Sequence, residues 1–556
     1  MTRLPVRRRR LVRRSTGAAL AFSLVLALQV LLPASSDADD SSTLTVVGTS
    51  DVFDSNLVQS VIKPGFQAAY PQFTLNYVSK GTGAAIDYAK AGTASALLVH
   101  AASLENQFVA QGYSAEQYGR AIFWGDYVLL GPANDPAGVM ANDPHDIVGA
   151  FQRIAAAGAA GHATFVSRGG TPGTTVQEHA IWALTSGVAT CTVSSTSGGG
   201  SVPSSTTNPD GTCPATATPP SWYQTTNLTQ GPNIVAGDAC NFPGGGCYVF
   251  TDRGTYQYLK STNAVQNLQI VTRDNATTAP GGNNLLVNSF HAYAVNPAKF
   301  ASNPNVSINS TAAEAFLDWV ASPAAQSAIG AYLGGQNDPP FRPDAAPSLQ
   351  PDAESGTAVG GSTVYFTGRI KNVVPGTPAL AGVPVRLLAR PTSEIFALPT
   401  VVAASTTDAN GQYTIAYQPR ATSTYSVQTM PVAQIENATL DPVFGDLLAG
   451  TQAPTGSLAV QSTVSLARVV GDLHGHVRLG GRVSPPALRG ATLSLYAVRV
   501  RDAAAGMHLV ASKQISGASF DSTFFLGRGV WRIKVRYQNP GLIGPSYSAA
   551  VRVTLH

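Results

Sequence analysis

The sequence predicts a multidomain chain in which a two-lobed α/β unit is followed by two all-β sandwiches. Three observations predict it: strand and helix patterns alternate from 43 to 333, a Pro-rich stretch interrupts the chain at 336–356, and short β runs in two similar sets follow. At 556 residues the chain exceeds what one hydrophobic core serves. Only 12% of residues are charged, against 54 glycines and 37 prolines, a balance that suits an exported, loop-rich protein.

Residues 1–38 read as an export signal. Seven arginines stand among the first sixteen residues, an apolar run covers Ala18 to Leu32, and Ser36 and Ala38 occupy the positions a signal peptidase reads. Cleavage is expected after Ala38. Arg13-Arg14 is compatible with twin-arginine export as well as with general secretion. The apolar run is shorter than the roughly 20 residues that span a bilayer, and Gln29 interrupts it. The expected location is therefore extracellular, cell-surface or periplasmic, with no lipid anchor and no transmembrane segment once the signal is removed. Losing seven arginines and Asp37 turns the formal charge of +4 into −2, which removes electrostatic support for nucleic-acid binding. The four cysteines, Cys191, Cys213, Cys240 and Cys247, form no compact metal pattern, and no metal or cofactor is expected. In an exported chain they predict two disulfides. Three connectivities are open, and the local pairs Cys191 with Cys213 and Cys240 with Cys247 are favoured.

TLTVVGTS (43–50) is a buried strand ending in a Gly/Thr/Ser turn, and 56–69 carries helical apolar spacing. FTLNYVS then runs into a second turn, Gly81-Thr82-Gly83, followed by a helix through Ile86 and Tyr88 and the strand ASALLVH. Such alternation implies a mostly parallel sheet with ligands at the carboxyl ends of its strands. IFWGDYVLLGP (122–132) reads as a long strand leaving the first lobe. A second α/β unit follows, with a helix around 147–157 and the strand at 248–250, before LLVNSFHAYAV (285–295) returns and a helix over 311–333 completes lobe 1. The lobes are expected at about 43–130 with 290–335, and at 131–289, with a Ser/Gly-rich mobile insertion at 188–220 inside the second. Two lobes joined by two crossings make a hinged cleft. The stretch 336–356 reads as an extended linker, and the sandwiches as 357–468 and 469–556. Tyr365, Tyr413, Tyr425, Phe524 and Trp531 are expected in sandwich packing.

The stretch 167–182, SRGGTPGTTVQEHAIW, carries the clearest chemistry. It follows an apolar strand end and enters a helix through a Gly/Pro turn, so backbone N–H groups at Gly173, Thr174 and Thr175 face out of a helix start. Ser167, Thr171 and Thr174 add hydroxyls, and Arg168 adds charge. This is the composition of an anion site.

Taken in order, GTSDVFDSNL, GTGAAIDYAKAG, ALLVHAASLENQFVAQGY, DYVLLGPANDPAG, FVSRGGTPGTTVQEHAIW, YVFTDRGTYQYL, AYAVNPAKF and DWVASPAAQSAI make 43–333 resemble the tungstate-binding proteins of ABC transporters. The resemblance implies a type II periplasmic-binding-protein fold and a pocket for a tetrahedral oxyanion. It places donors at Thr49, Ser50, Gly81, Thr82, Gly83, Ser167, Arg168, Gly173 and Thr174, the positions that the turns and helix starts also select. His100 matches a landmark histidine and reads as a strand-end residue near the hinge, not a ligand. Asp51 stands where the family has a hydroxyl. It is expected to turn outward and cap the helix beginning near Asp54; an inward Asp51 would favour a protonated anion such as phosphate.

These readings converge on a monomeric, non-enzymatic oxyanion-binding protein, for tungstate or molybdate, with an ABC permease as partner and Ig-like modules that contact the cell envelope. Phosphate binding, or a secreted sensor or adhesion role, is the alternative. His100, His145, His162, His179 and His291 lack catalytic motif partners, and Ser167 is not in a nucleophile elbow.

Overall fold

The computed structural model describes residues 42–556 except 195, 197–198, 334–337, 376, 394–395, 438–440, 488, 541 and 543; the export signal lies outside the described residues. Lobe 1 begins β1 (Thr43–Thr49), α1 (Ser50–Asp54), a π-helical turn at Val58–Ile62, α2 (Lys63–Ala69), β2 (Thr74–Lys80), α3 (Thr82–Lys90), β3 (Ala96–Val99) and α4 (Ala102–Ala110). Strand β4 (Gly119–Pro132) leaves it. Lobe 2 contains α5 (Val139–Asn142), α6 (Ile147–Ala159), β5 (Thr164–Ser167), α7 (Gly173–Leu184), β6 (Thr190–Thr192), β7 (Ser201–Pro203), β8 (Tyr223–Thr225), α8 (Gln230–Ala239), β9 (Cys247–Asp252), α9 (Arg253–Ser261) and β10 (Leu268–Thr272). The chain returns through β11 (Val287–Ala294) and completes lobe 1 with α10 (Ser310–Val320) and α11 (Pro323–Gly330). The single helix expected over 311–333 is broken because Pro323 opens a new helix, whose N-cap Ser322 accepts a bond from Ala325 N–H.

The sheet order β2-β1-β3-β11-β4-β9-β5-β8 runs through both lobes. β1 pairs in parallel with β2 and β3, and β5 with β8 and β9. β4 joins the lobes: Ala121 to Asp126 pair with β11, while Tyr127 to Leu130 pair with β9. Period-2 alternation sends neighbouring residues to opposite faces, and both faces are covered. Val46 and Leu98 enter one core of lobe 1, while Val47, Leu97 and Val99 enter the other. In lobe 2, Leu129 and Phe165 pack on one side and Val128, Leu130 and Val166 on the other.

The disulfides are Cys191–Cys213 and Cys240–Cys247, the two local pairs. The first ties the β6–β7 ribbon, so the described part of the Ser/Gly-rich insertion carries paired strands.

The stretch expected as an extended linker is built into both neighbours. Phe341 is buried in the core of lobe 1, β12 (Arg342–Pro343) pairs with β4, and Ser348–Pro351 already pairs with the sandwich strand Val364–Lys371. Proline favours the extended backbone of an edge strand, and one large apolar side chain suffices to anchor it. The all-β region forms two sandwiches, each with its own core. Strand Thr463–Gly471 spans the expected border at 468/469 and pairs wholly with the second sandwich, so the change falls near Ser462. Tyr413, Tyr425 and Phe524 are buried and Trp531 packs at the second core. Tyr365 departs from expectation at 58% exposed, because its neighbour Phe366 takes the inward register.

Candidate functional site

Three helix starts face one cleft because each follows the carboxyl end of a parallel strand: α1 after β1, α3 after β2 and α7 after β5. Their capping residues, Thr49, Gly81 and Pro172, are extended and offer no side-chain cap, so the helix starts point at the cleft with only part of their first-turn N–H groups taken up, Val52 by Asp51 Oδ1 and Gly83 by the Thr171 carbonyl. The lobes touch there. Gly83 N–H donates to the Thr171 carbonyl at 3.0 Å. A Cβ on Gly83 would strike the Thr171 side chain and one on Gly173 the His100 ring, which is why glycine stands at these two closest approaches.

Arg168 is 6% exposed and reaches across the cleft. Its Nη2 donates to Ser50 Oγ at 2.6 Å, Nη1 to Gln230 Oε1 at 3.1 Å and Nε to the Leu228 carbonyl at 3.1 Å. Thr174 Oγ1 donates to the same Gln230 oxygen at 3.2 Å. The hydroxyl of Thr82 is buried without a hydrogen-bond partner among the described residues, while that of Thr49 bonds to the Asp51 carboxylate. A buried donor left without a partner costs about 1–3 kcal/mol, so Thr82 fits a missing acceptor. Burial pushes the Arg168 guanidinium down, opposed by the charges of Asp51, Asp54 and Asp252.

The structure thus brings together Thr49, Ser50, Gly81, Thr82, Gly83, Arg168, Gly173 and Thr174. Ser167 is adjacent but committed elsewhere: its Oγ donates to Glu178 Oε2 at 2.8 Å, and burial raises that carboxyl to about 7.

Asp51 overturns the outward orientation. Its side chain is fully buried, with Oδ2 2.8 Å from His100 Nε2, and Oδ1 accepts from Val52 N–H. The reason is local: α1 starts at Ser50 and ends at Asp54, so no helix start remains at Asp54 for Asp51 to cap. His100 Nδ1 lies 2.9 Å from Tyr127 Oη on β4, the strand that crosses between the lobes. Burial favours the neutral form of both partners, yet the Asp51 charge and hydrogen bond raise His100, and His100 in turn lowers Asp51. Burial and the Asp51 charge push Asp252 up to about 7.

Several site residues escaped sequence reasoning. Gln230, at the start of α8, bridges Arg168, Thr174 and the Thr251 hydroxyl. Asp54 of lobe 1 accepts from Gly231 N–H of lobe 2 at 2.8 Å, capping α8 from across the cleft. Thr255 Oγ1 donates to the Asp51 carbonyl at 3.2 Å. The Thr-Gln-Gly start of α8 after a polar loop was the available signal, since it marks a further helix N-terminus.

Among curated relatives, a tungstate-binding protein TupA of Peptoclostridium acidaminophilum is 30% identical over 283 residues, covering 50% of this chain and 79% of its own. TupA of Campylobacter jejuni is 23% identical over 250 residues, covering 45% and 72%. Among solved structures, the tungstate ABC transporter chain of Geobacter sulfurreducens is 27% identical, with 52% of this chain and 98% of that one covered and a TM-score of 0.37. Residues 33–324 match the family model described as a PBP superfamily domain, and with the two-lobed sheet and its hinged cleft this chain belongs to that superfamily.

Proposed function

We propose that this protein is an exported solute-binding protein that holds a tetrahedral oxyanion, tungstate or molybdate, between its lobes for delivery to an ABC permease. The carrying observation is that Arg168, the Thr82 hydroxyl, buried without a partner among the described residues, and three helix starts meet in one closed cleft. A dehydrated dianion needs donors from every side, and charge-assisted contacts from arginine are the strongest a protein offers. The arrangement binds and does no chemistry on its ligand. Supporting this ligand class are the names of the relatives above, both tungstate-binding.

The inward Asp51 supports phosphate as the second reading, since a protonated oxyanion can donate to a carboxylate. Two like charges about 4 Å apart repel by roughly 4 kcal/mol at an effective dielectric near 20. His100 removes that objection when protonated, because the pair is then neutral as a unit, and tungstate remains the first choice. Calorimetric titration of the purified protein with tungstate, molybdate, sulfate and phosphate tests both. Phosphate binding with tungstate ignored would transfer the assignment to phosphate, and no binding of any of the four would remove it.

A further inference from the structure

A cavity of about 490 Å³ lies where both lobes meet the first sandwich. Ser103 at the start of α4 faces it from lobe 1, Gln177 of α7 from lobe 2, and Asn288 of β11 from the hinge. The fourth wall comes from the sandwich, through Val374, Pro375, Thr377 and Asp446. Thr49, Ser50, Thr82 and Arg168 do not line it, so it is distinct from the oxyanion cleft, and His100 and Gly173 stand in the wall between the two. The sandwich wall also lies beyond residue 324, where the family match ends.

The chemistry of this cavity differs from that of the cleft. Among the described residues no Lys or Arg lines it, and its ionisable groups already face partners. His291 Nδ1 lies 2.7 Å from Glu105 Oε2, and its Nε2 lies 3.1 Å from Asp446 Oδ1. His100 is held by Asp51. An anion placed here would meet the Asp446 carboxylate with no Lys or Arg among the described residues to match it, His291 being already held by Glu105 and Asp446. Neutral hydrogen-bonding groups prevail, and the Asn288 Nδ2, in a residue 2% exposed, has no partner among the described residues. Apolar surface from Val176, Val287 and Pro375 alternates with these groups, which suits a molecule carrying hydroxyls on a C–H framework. The volume falls within the range of about 300–1,000 Å³ typical of small-molecule pockets.

We propose that this three-body junction is a second ligand site, taking a small uncharged, hydroxyl-rich molecule of mono- or disaccharide size. It exists only in the joined protein, because the binding domain alone lacks one wall. The inference does not depend on the oxyanion reading.

The test is calorimetric titration of the full exported chain with glucose, N-acetylglucosamine, maltose and trehalose. Saturable binding of at least one is expected, weakened about tenfold or more by Asn288→Leu. Ala102→Trp, at an exposed position that lines the cavity, obstructs it without disturbing a buried residue and should give the same loss with unchanged melting. Absence of saturable binding by all four sugars overturns the proposal. So does binding that survives Ala102→Trp, and so does an equal loss in Arg168→Ala, which would place the sugar in the oxyanion cleft.

Discussion

Arg168 spans the closed cleft to Ser50 and shares Gln230 with Thr174, so its loss removes a guanidinium facing the proposed anion. Arg168→Ala is expected to lower oxyanion affinity about a hundredfold or more, ~3 kcal/mol, with the fold retained; calorimetry and thermal melting check the two halves. Asp51 and His100 control the charge of the site. His100 is raised above its ordinary 6.5, so its share of stability is complete below that value and lost as pH rises through the raised one. Asp51 is lowered, so its share is present above its ordinary 3.8 and lost as pH falls through the depressed value. Deprotonation of His100 leaves the carboxylate uncompensated, and ionisation of Asp252, raised to about 7, adds a further negative charge. Affinity for the proposed oxyanion should therefore fall as pH rises above about 7, and Asp51→Ser should flatten that fall. An affinity independent of pH from 6 to 9 would remove the pair from the site.

At the scale of elements, one helix end joins the other cross-cleft bonds in holding the lobes together. Asp54 leaves lobe 1 to cap α8 of lobe 2, and that bond can exist only when the cleft is shut. Asp54→Asn should raise the anion's dissociation rate several-fold and change the association rate less, measured by stopped-flow displacement; the size follows from a cap worth about 1 kcal/mol. The segment after α11 is a second such element. Phe341 packs in lobe 1 and β12 extends the sheet beside β4, so a fragment ending at residue 335 should melt well below one ending at 346. Equal melting temperatures would mean that Phe341 adds no stability to the lobe.

The whole molecule is joined more firmly than its composition suggests. The hairpin Val432–Asn437 with Asp441–Leu448 lies outside the two sheets of the first sandwich and pairs with the start of β4 instead, while Ala121 of β4 lies in the sandwich core. The second sandwich has its own core and follows Ser462 directly. Removing 463–556 should leave oxyanion affinity unchanged, whereas removing everything after 346 should lower the stability of lobe 1 by exposing Ala121 and the edge of β4. Titration and melting of the two truncations distinguish these outcomes.

The α/β alternation, the two local disulfides and the glycine turns were legible because they are written in neighbouring residues: Val46 and Val47 face opposite cores by period alone, and SRGGTPGTT marks its helix start by composition. The fold of lobes and sandwiches followed from that local code, together with most donors of the cleft. The inward turn of Asp51 was decided only in three dimensions, since its partner His100 lies at the end of a different strand and nothing beside Asp51 in the chain announces it. The same holds for Gln230, supplied by a helix start following the disulfide-tied insertion, and for Phe341, whose apolar side chain turns a proline-rich connector into part of a core. Patterns of period and turn report how a segment folds upon itself. Which charge meets which, and which loop closes a cavity, depends on contacts between segments far apart in the chain, and those the packed structure alone determines.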